Sequence, residues 1–213
     1  YGVNHGDVRA NSLELHQRGL SMQVTTPQGD VLINAPVLGR FNAYNVLAVL
    51  AVLLTLKVSL QDVAAAIATI KPVAGRMQQF GGGEKPLVVV DYAHTPDALE
   101  KVLATLREQT TGKLVCVFGC GGDRDAGKRP LMGAVAAMLA DEVVVTSDNP
   151  RSEDPASIIQ QVVSGIDKPC LVEVDRAAAI RQAVQSARSG DIVLVAGKGH
   201  EEYQEIAGVK TPF

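Results

Sequence analysis

Five short segments of this 213-residue chain gather charged side chains, four of them beside glycine or proline. They are Asp91-Tyr-Ala-His94-Thr-Pro96, Gly119-Cys-Gly-Gly-Asp123-Arg124-Asp125, Ser147-Asp148-Asn149-Pro150-Arg151, Asp175-Arg176 and Gly197-Lys-Gly-His200-Glu201-Glu202. Arg124 and Arg151 each present a planar guanidinium that fits a carboxylate or phosphate with two parallel hydrogen bonds. Asp148 and Glu201 could hold an ammonium, Asn149 both donates and accepts, and Pro150 stiffens the turn that aims its neighbours. A zwitterionic amino acid needs such a mixed set. The competing reading is structural: Asp123 or Asp148 pairs with an adjacent arginine in a surface ion pair worth about 0 to 1 kcal/mol. Residue types alone leave the two readings even.

Other chemistries are less well supported. Gly119-Cys-Gly-Gly-Asp-Arg lacks the third glycine of the dinucleotide fingerprint, because Arg124 stands there, which disfavours a nicotinamide oxidoreductase. Its glycines are expected to expose backbone N–H groups and let the loop turn sharply. His94 reads equally as a phosphate contact or as a turn residue. His200 reads as a turn residue, and His5 and His16 as surface residues. Neither Cys-x-x-Cys nor His-Glu-x-x-His occurs, so no metal centre is expected, and no Gly-x-Ser-x-Gly elbow supports hydrolysis. One of Asn42 and Asn45 is expected to cap the apolar helix that follows, although a side-chain amide also suits an adenine edge. Arg76 could reach ligand phosphates. For these last three residues the plain structural role is favoured.

The hydrophobic pattern indicates what positions these groups. Apolar runs at Leu87–Val90, Leu114–Phe118, Glu142–Thr146, Cys170–Val174 and Ile192–Val195 alternate with helix-like segments near 96–109, 128–140, 155–165 and 176–188. Such alternation predicts a doubly wound α/β domain with a mostly parallel sheet, in which ligands bind beyond the carboxyl ends of the strands. The charged segments follow the strands. Earlier in the chain, residues 19–35 read as a β-hairpin, followed by one helix to about Lys57 and a second from Ser59 to about Ile70. A hairpin and two helices make a poor domain, so residues 1–71 are expected to be the tail of a larger domain, with a hinge at Lys71–Gly75.

Composition agrees. At 46% hydrophobic but 4% aromatic, the chain suits helices layered on a buried parallel sheet. A net charge of -3 and the lack of a basic run argue against nucleic acid or a membrane surface as partner. The apolar stretch Val46–Leu56 is shorter than the roughly 20 residues of a membrane span. With no signal-peptide pattern and three cysteines that cannot all pair, a soluble chain in a reducing cytoplasm is expected.

The series Gly39-Arg-Phe-Asn42-Ala-Tyr-Asn45, Gly75-Arg76, Asp91-Tyr-Ala-His94-Thr-Pro96, Gly121-Gly-Asp-Arg124-Asp-x-x-Lys128-Arg-Pro, Asp148-Asn149-Pro150-Arg151 and Gly197-Lys-Gly-His-Glu201 resembles the Mur ligases along essentially the whole chain, in family order. The resemblance implies a central ATP-binding domain ending within residues 1–71 and a Rossmann-like amino-acid-binding domain over 72–213. It implies ATP and Mg2+ as cofactors, small-molecule substrates and a monomer. Asp-Asn-Pro-Arg is the most specific element, because in this family it marks selection of meso-diaminopimelate. The resemblance puts Arg124, Asp148, Asn149, Pro150, Arg151, Gly197 and Glu201 around that amino acid. It puts Asn42, Asn45, Arg76, Asp91 and His94 on the ATP side, and leaves Lys128 without a role.

The implied reaction is ATP-dependent amide formation on the D-glutamate γ-carboxylate of UDP-N-acetylmuramoyl-L-alanyl-D-glutamate. Alternatives are a lysine-adding or folylpolyglutamate-forming relative, or a non-catalytic zwitterion-binding module. No Gly-x-x-x-x-Gly-Lys-Ser/Thr phosphate loop occurs in these residues. The expectation is therefore that the loop, the UDP-binding domain and a carbamylated lysine lie before Tyr1, that further sequence follows Phe213, and that these residues alone do not ligate.

Overall fold

A computed structural model describes all 213 residues, which divide into two compact units, Tyr1–Pro72 and Val73–Phe213. In the first unit, strands β1 (Gly2–Val3), β2 (Arg9–His16), β3 (Gly19–Thr26) and β4 (Gly29–Ala35) form a sheet in that order. Helices α1 (Arg40–Thr55) and α2 (Leu60–Ile67) follow. Alternate residues of β3, Leu20, Met22 and Val24, join Ile33 of β4, Ala43, Leu47 and Leu50 of α1, and Val63 and Ile67 of α2 in one core. The expected hairpin is β3–β4. The pairing of β2 with β3 was not foreseen, because the strand Arg-Ala-Asn-Ser-Leu-Glu-Leu-His carries too few apolar residues to declare itself.

The α2 start follows the anticipated box: Asp62 N–H donates to Ser59 Oγ (3.2 Å), and Ser59 Oγ donates to Asp62 Oδ2 (2.6 Å). The α1 start corrects an expectation. Neither Asn42 nor Asn45 caps it; the cap position is Gly39, at φ 90°, with no side-chain cap. Asn42 already lies inside the first turn, where its amide donates to Leu38 O (2.8 Å), and Asn45 donates to Asn42 Oδ1 (2.9 Å).

The second unit contains β5 (Gln78–Gly81), β6 (Leu87–Asp91), α3 (Pro96–Arg107), β7 (Leu114–Phe118), α4 (Lys128–Leu139), β8 (Glu142–Val145), α5 (Pro155–Val163), β9 (Leu171–Val172), α6 (Arg176–Ser186), β10 (Ile192–Ala196), β11 (Tyr203–Ile206) and β12 (Val209–Pro212). Its six-stranded sheet runs β5-β6-β10-β7-β8-β9, parallel throughout except for β5. The mostly parallel α/β sheet is as predicted. The antiparallel edge strand β5 and the terminal hairpin β11–β12 are additions, and β9 is shorter than the run at 170–174 suggested.

Strand order explains the layers. The chain steps from β6 outward through β7 and β8 to β9, then returns to insert β10 between β6 and β7. With right-handed crossovers, that reversal puts α6 on the face opposite α3, α4 and α5. Accordingly Ala179 and Ala183 of α6 pack on Val115, Val117, Val144, Val193 and Val195. The alternate residues Cys116 and Phe118 of β7 are also fully buried, so both faces are covered and the strand reads as a continuous apolar run. Because β10, β7 and β8 are neighbours, the loops after them emerge side by side. Thr95, Asp154 and Asp175 cap α3, α5 and α6 by accepting N–H bonds, the first two followed by proline. No helix is long and apolar enough to cross a membrane.

Helix α4 approaches α5 closely at Gly133, where an added Cβ would lie 2.2 Å from Val162 O. Gly133→Ala should improve helix propensity by about 1 kcal/mol. The enforced shift should outweigh that gain and leave a net loss of about 1–3 kcal/mol. Urea unfolding measures the difference, and a raised midpoint would refute the close approach as a constraint.

Candidate functional site

The loops after β7, β8 and β10 enclose an open cavity of about 530 Å³. Arg124, Asp148, Asn149, Arg151, Gly197 and Glu201 all line it, together with Tyr92, His94 and Lys128. Pro150 does not line it but shapes the turn behind it. Asp91 and Arg76 are not on its wall, and Asn42 and Asn45 belong to the first unit.

Backbone contact fixes the first two loops against each other. A Cβ on Gly119 would lie 2.1 Å from Thr146 O, and one on Gly122 would lie 1.9 Å from Pro150 O. For Gly122 this corrects the expectation that the loop glycines expose N–H groups and make the turn. Gly122 N–H donates to Asn149 O (2.9 Å), and the left-handed turn residue is Asp123, at φ 53°. Asp123 accepts from the N–H and hydroxyl of Ser152, while its own N–H donates to Glu153 Oε1 (2.6 Å). Behind the loops, both terminal nitrogens of the buried Arg129 donate to Glu153 at 2.8 Å.

This framework presents the two arginines differently. Arg124 is exposed and bonds only to the carbonyl of Asp123 (3.1 Å), which leaves most of its fork available. Arg151 sits at φ 52°, donates Nη1–H to Gly122 O (2.8 Å), and has Nε 3.8 Å from Glu205 Oε2. The adjacent-arginine ion pair considered from sequence does not form for Asp123 or Asp148. Asp123 binds Ser152, and Asp148 faces a lysine.

That lysine, Lys198, is the charged group beside the cavity that its sequence context did not single out. It is 4% exposed, with Nζ 2.7 Å from Asn149 Oδ1, 2.7 Å from Tyr203 O, 3.3 Å from Asp148 Oδ1 and 3.8 Å from Glu201 Oε2. Gly197 stands at φ 111°, where a Cβ would come within 2.9 Å of Asp148 Oδ2, so glycine there makes room for the carboxylate. Arg176, also missed, is buried beneath and donates to Ser147 O (3.3 Å) and Ala196 O (2.7 Å) at the ends of β8 and β10. Burial pushes the pKa of both cations down, and Asp148 pulls it back up. The only sequence signal for Lys198 was its place between two glycines.

On the other side of the cavity, Asp91 is buried and accepts from Met77 N–H (2.9 Å) and Ala93 N–H (2.8 Å), which braces the loop after β6. The Arg76 guanidinium lies 4.9 Å from the Tyr92 ring centroid, and the His94 ring meets Tyr92 edge-on at 4.8 Å. Lys128 Nζ donates to His94 O (2.9 Å). His200 is exposed near Tyr92, and His5 and His16 are exposed in the first unit.

The Arg129 guanidinium holds the Glu153 carboxyl down at about 2, against an ordinary 4.5. A carboxyl lowered by folding contributes stability that is complete above its ordinary value and is lost as pH falls through the folded one. Glu153→Gln should therefore be less stable than the parent at pH 7, with the gap closing between about pH 4.5 and about pH 2. Thermal melts across that window test this, and a gap independent of pH would disprove the clamp.

Family models match along the chain: the Mur ligase glutamate ligase domain at residues 75–199 and the Mur ligase middle domain at residues 1–53. A UDP-N-acetylmuramoyl-L-alanyl-D-glutamate--2,6-diaminopimelate ligase of Chromobacterium violaceum is 61% identical over 100% of this chain and 44% of its own length. The ligase of that name from Pseudomonas aeruginosa is 54% identical over 92% of this chain and 40% of its own. The chain thus spans less than half the length of these relatives. A solved structure of a ligase with the same name superposes with a TM-score of 0.81 at 42% identity, over 99% of this chain and 44% of the other. A folylpolyglutamate synthase from Mycobacterium tuberculosis, 22% identical with a TM-score of 0.65, shares the fold and covers 90% of this chain and 45% of its own. With the glutamate ligase domain spanning more than half of it, and the rim motifs gathered at one cavity, this chain belongs to the Mur ligase family.

Proposed function

We propose that this chain is the amino-acid-selecting part of a cytoplasmic ligase that joins meso-diaminopimelate to the D-glutamate γ-carboxylate of UDP-N-acetylmuramoyl-L-alanyl-D-glutamate during peptidoglycan synthesis. One observation carries the reading: two guanidinium groups, Arg124 and Arg151, share a cavity with the carboxylates of Asp148 and Glu201. Meso-diaminopimelate is zwitterionic at both ends. Its far carboxylate suits the Arg151 fork, Asn149 adds an amide donor, and the far ammonium faces Asp148 and Glu201. Lysine lacks that second carboxylate and would leave the N–H groups of Arg151 not taken by Gly122 and Glu205 unmatched, which is how a charged pocket rejects a near-isostere. The names of the 61% and 54% identical relatives support the same substrate.

In this reading residues 1–71 are the end of the central ATP-binding domain, and residues 72–213 are the amino-acid-binding domain. ATP with Mg2+ would supply the phosphoryl group that activates the γ-carboxylate as an acyl phosphate. The second unit offers part of a fit to such a nucleotide: Arg76, His94 and Lys128 are donors for phosphate oxygens around the Tyr92 ring. Asp91 fits less well, because both of its oxygens already accept backbone N–H bonds. Asn42 and Asn45, exposed or half-exposed on α1, have amides suited to an adenine edge. The chain's own contribution to catalysis is positioning: by fixing both ends of the amino acid, it presents the attacking amine as an oriented neighbour of the activated carboxyl. The enzyme would act as a monomer on small molecules.

Arg151→Ala in a full-length ligase carrying this segment should lower the preference for meso-diaminopimelate over lysine by roughly 100-fold or more, chiefly through a raised KM for diaminopimelate. Steady-state kinetics with both amino acids provide the test. Undiminished diaminopimelate incorporation by the variant would end the proposal.

A further inference from the structure

We propose that Lys198 is a positioning residue for amino-acid selection: its buried ammonium fixes the Asn149 amide in one orientation and holds the Asp148 and Glu201 carboxylates side by side. The inference rests on the function proposed above and names a determinant of it that neither the motifs nor the relatives' names assign.

The argument is one of donors and acceptors. An ammonium has three N–H groups and accepts nothing. Lys198 Nζ has three acceptors within reach: Asn149 Oδ1 at 2.7 Å, Tyr203 O at 2.7 Å and Asp148 Oδ1 at 3.3 Å. Glu201 Oε2 lies slightly beyond, at 3.8 Å. Asn149 Oδ1 also accepts the N–H of Glu205 (3.0 Å). Both groups facing that oxygen can only donate, so the amide cannot flip without setting donor against donor. Its NH₂ is thereby turned toward Glu201 Oε2 (2.9 Å), and its second N–H remains for a ligand carboxylate. A glutamine or asparagine amide held only by water would not be so constrained.

Charge gives a second, independent reason. Asp148 is 7% exposed and Glu201 half-buried, two carboxylates on one wall of the cavity. Without a cation between them, two like charges partly withdrawn from water repel each other, and the wall would no longer hold both carboxylates toward a ligand ammonium. Lys198 lies within 4 Å of both. Arginine would not substitute well, because a planar fork cannot direct three bonds from one compact centre.

The test uses a full-length ligase that carries this segment, with Lys198→Met and Lys198→Arg. Lys198→Met should raise the KM for meso-diaminopimelate about tenfold or more and reduce selection against lysine, with the KM for ATP within twofold of the parent. Lys198→Arg should show the same split in smaller measure. A parent enzyme that does not use diaminopimelate refutes the underlying function. A parent that does, with a folded Lys198→Met variant whose diaminopimelate KM and selectivity are unchanged, refutes the role of Lys198 alone. Equal changes in the KM for both substrates would also refute it, since a general structural defect would produce them. If Lys198→Met does not fold, Lys198→Arg decides: parental kinetics for both substrates overturn the proposal, and a diaminopimelate-specific rise supports it.

Discussion

Two loop backbones touch at the rim of the sheet, and the arrangement of the cavity follows from that contact. The carbonyls of Thr146 and Pro150 occupy the places where side chains at 119 and 122 would be. Atoms in van der Waals contact cannot slide independently, so the segment Asp123–Arg124 and the segment Asp148–Arg151 move as one body. Five polar links tighten this further: Gly122 N–H to Asn149 O, Arg151 to Gly122 O, two bonds between Ser152 and Asp123, and Asp123 N–H to Glu153. Arg129 anchors the arrangement from below. It is 1% exposed, and removing one partner of so buried a pair would leave a desolvated charge. The Arg151 side chain is thus set before any ligand arrives, which lowers the ordering cost of binding, while Arg124 has a fixed backbone and an exposed side chain.

Beneath the same rim two cations are buried behind two carboxylates. Arg176 is fully buried at the ends of β8 and β10, Lys198 is buried against Asp148, and Asp148 and Glu201 line the open cavity where neither cation does. Arg176 and Lys198 repel each other, and the carboxylates offset the desolvation of both. Asp148 raises the pKa of both Arg176 and Lys198, which burial alone would depress.

How much of this was legible in the sequence depended on whether the determining contacts were local. The strands β6, β7, β8 and β10 announced themselves, because burial on both faces makes each a continuous apolar run. So did the starts of α3 and α5, where Thr95-Pro96 and Asp154-Pro155 carry cap and first-turn signals within two residues. By contrast, β5 reads Gln-Gln-Phe-Gly and β12 Val-Lys-Thr-Pro, exposed edge segments whose strand character comes from a neighbouring strand. The site divided the same way. Arg124, Asp148, Arg151 and Glu201 were visible as charges placed after strands. Lys198 was not, because its burial is produced by residues 49 positions before it and 5 after it. Asn42 misled for a local reason: the amide that resembled a cap lies beyond a glycine that makes the turn unaided.

The terminal hairpin shows why a segment without apolar periodicity still matters to the site. Arg151 holds a left-handed backbone at φ 52°, a conformation that costs a non-glycine residue about 1–3 kcal/mol. It is kept there by β11: Arg151 N–H donates to Glu205 O (3.1 Å), and Ala207 N–H donates to Arg151 O (2.7 Å). The same hairpin donates from Gln204 to Asp148 O (2.7 Å), donates from Glu205 N–H to Asn149 Oδ1 and accepts Lys198 at Tyr203 O. A two-stranded hairpin is at best marginally stable in isolation. Its order therefore derives from docking on Asp148–Arg151, and the strained geometry of that segment derives in turn from the hairpin. Each is the other's condition, so the orientation of Arg151 belongs to the pair of segments and not to the four-residue motif alone.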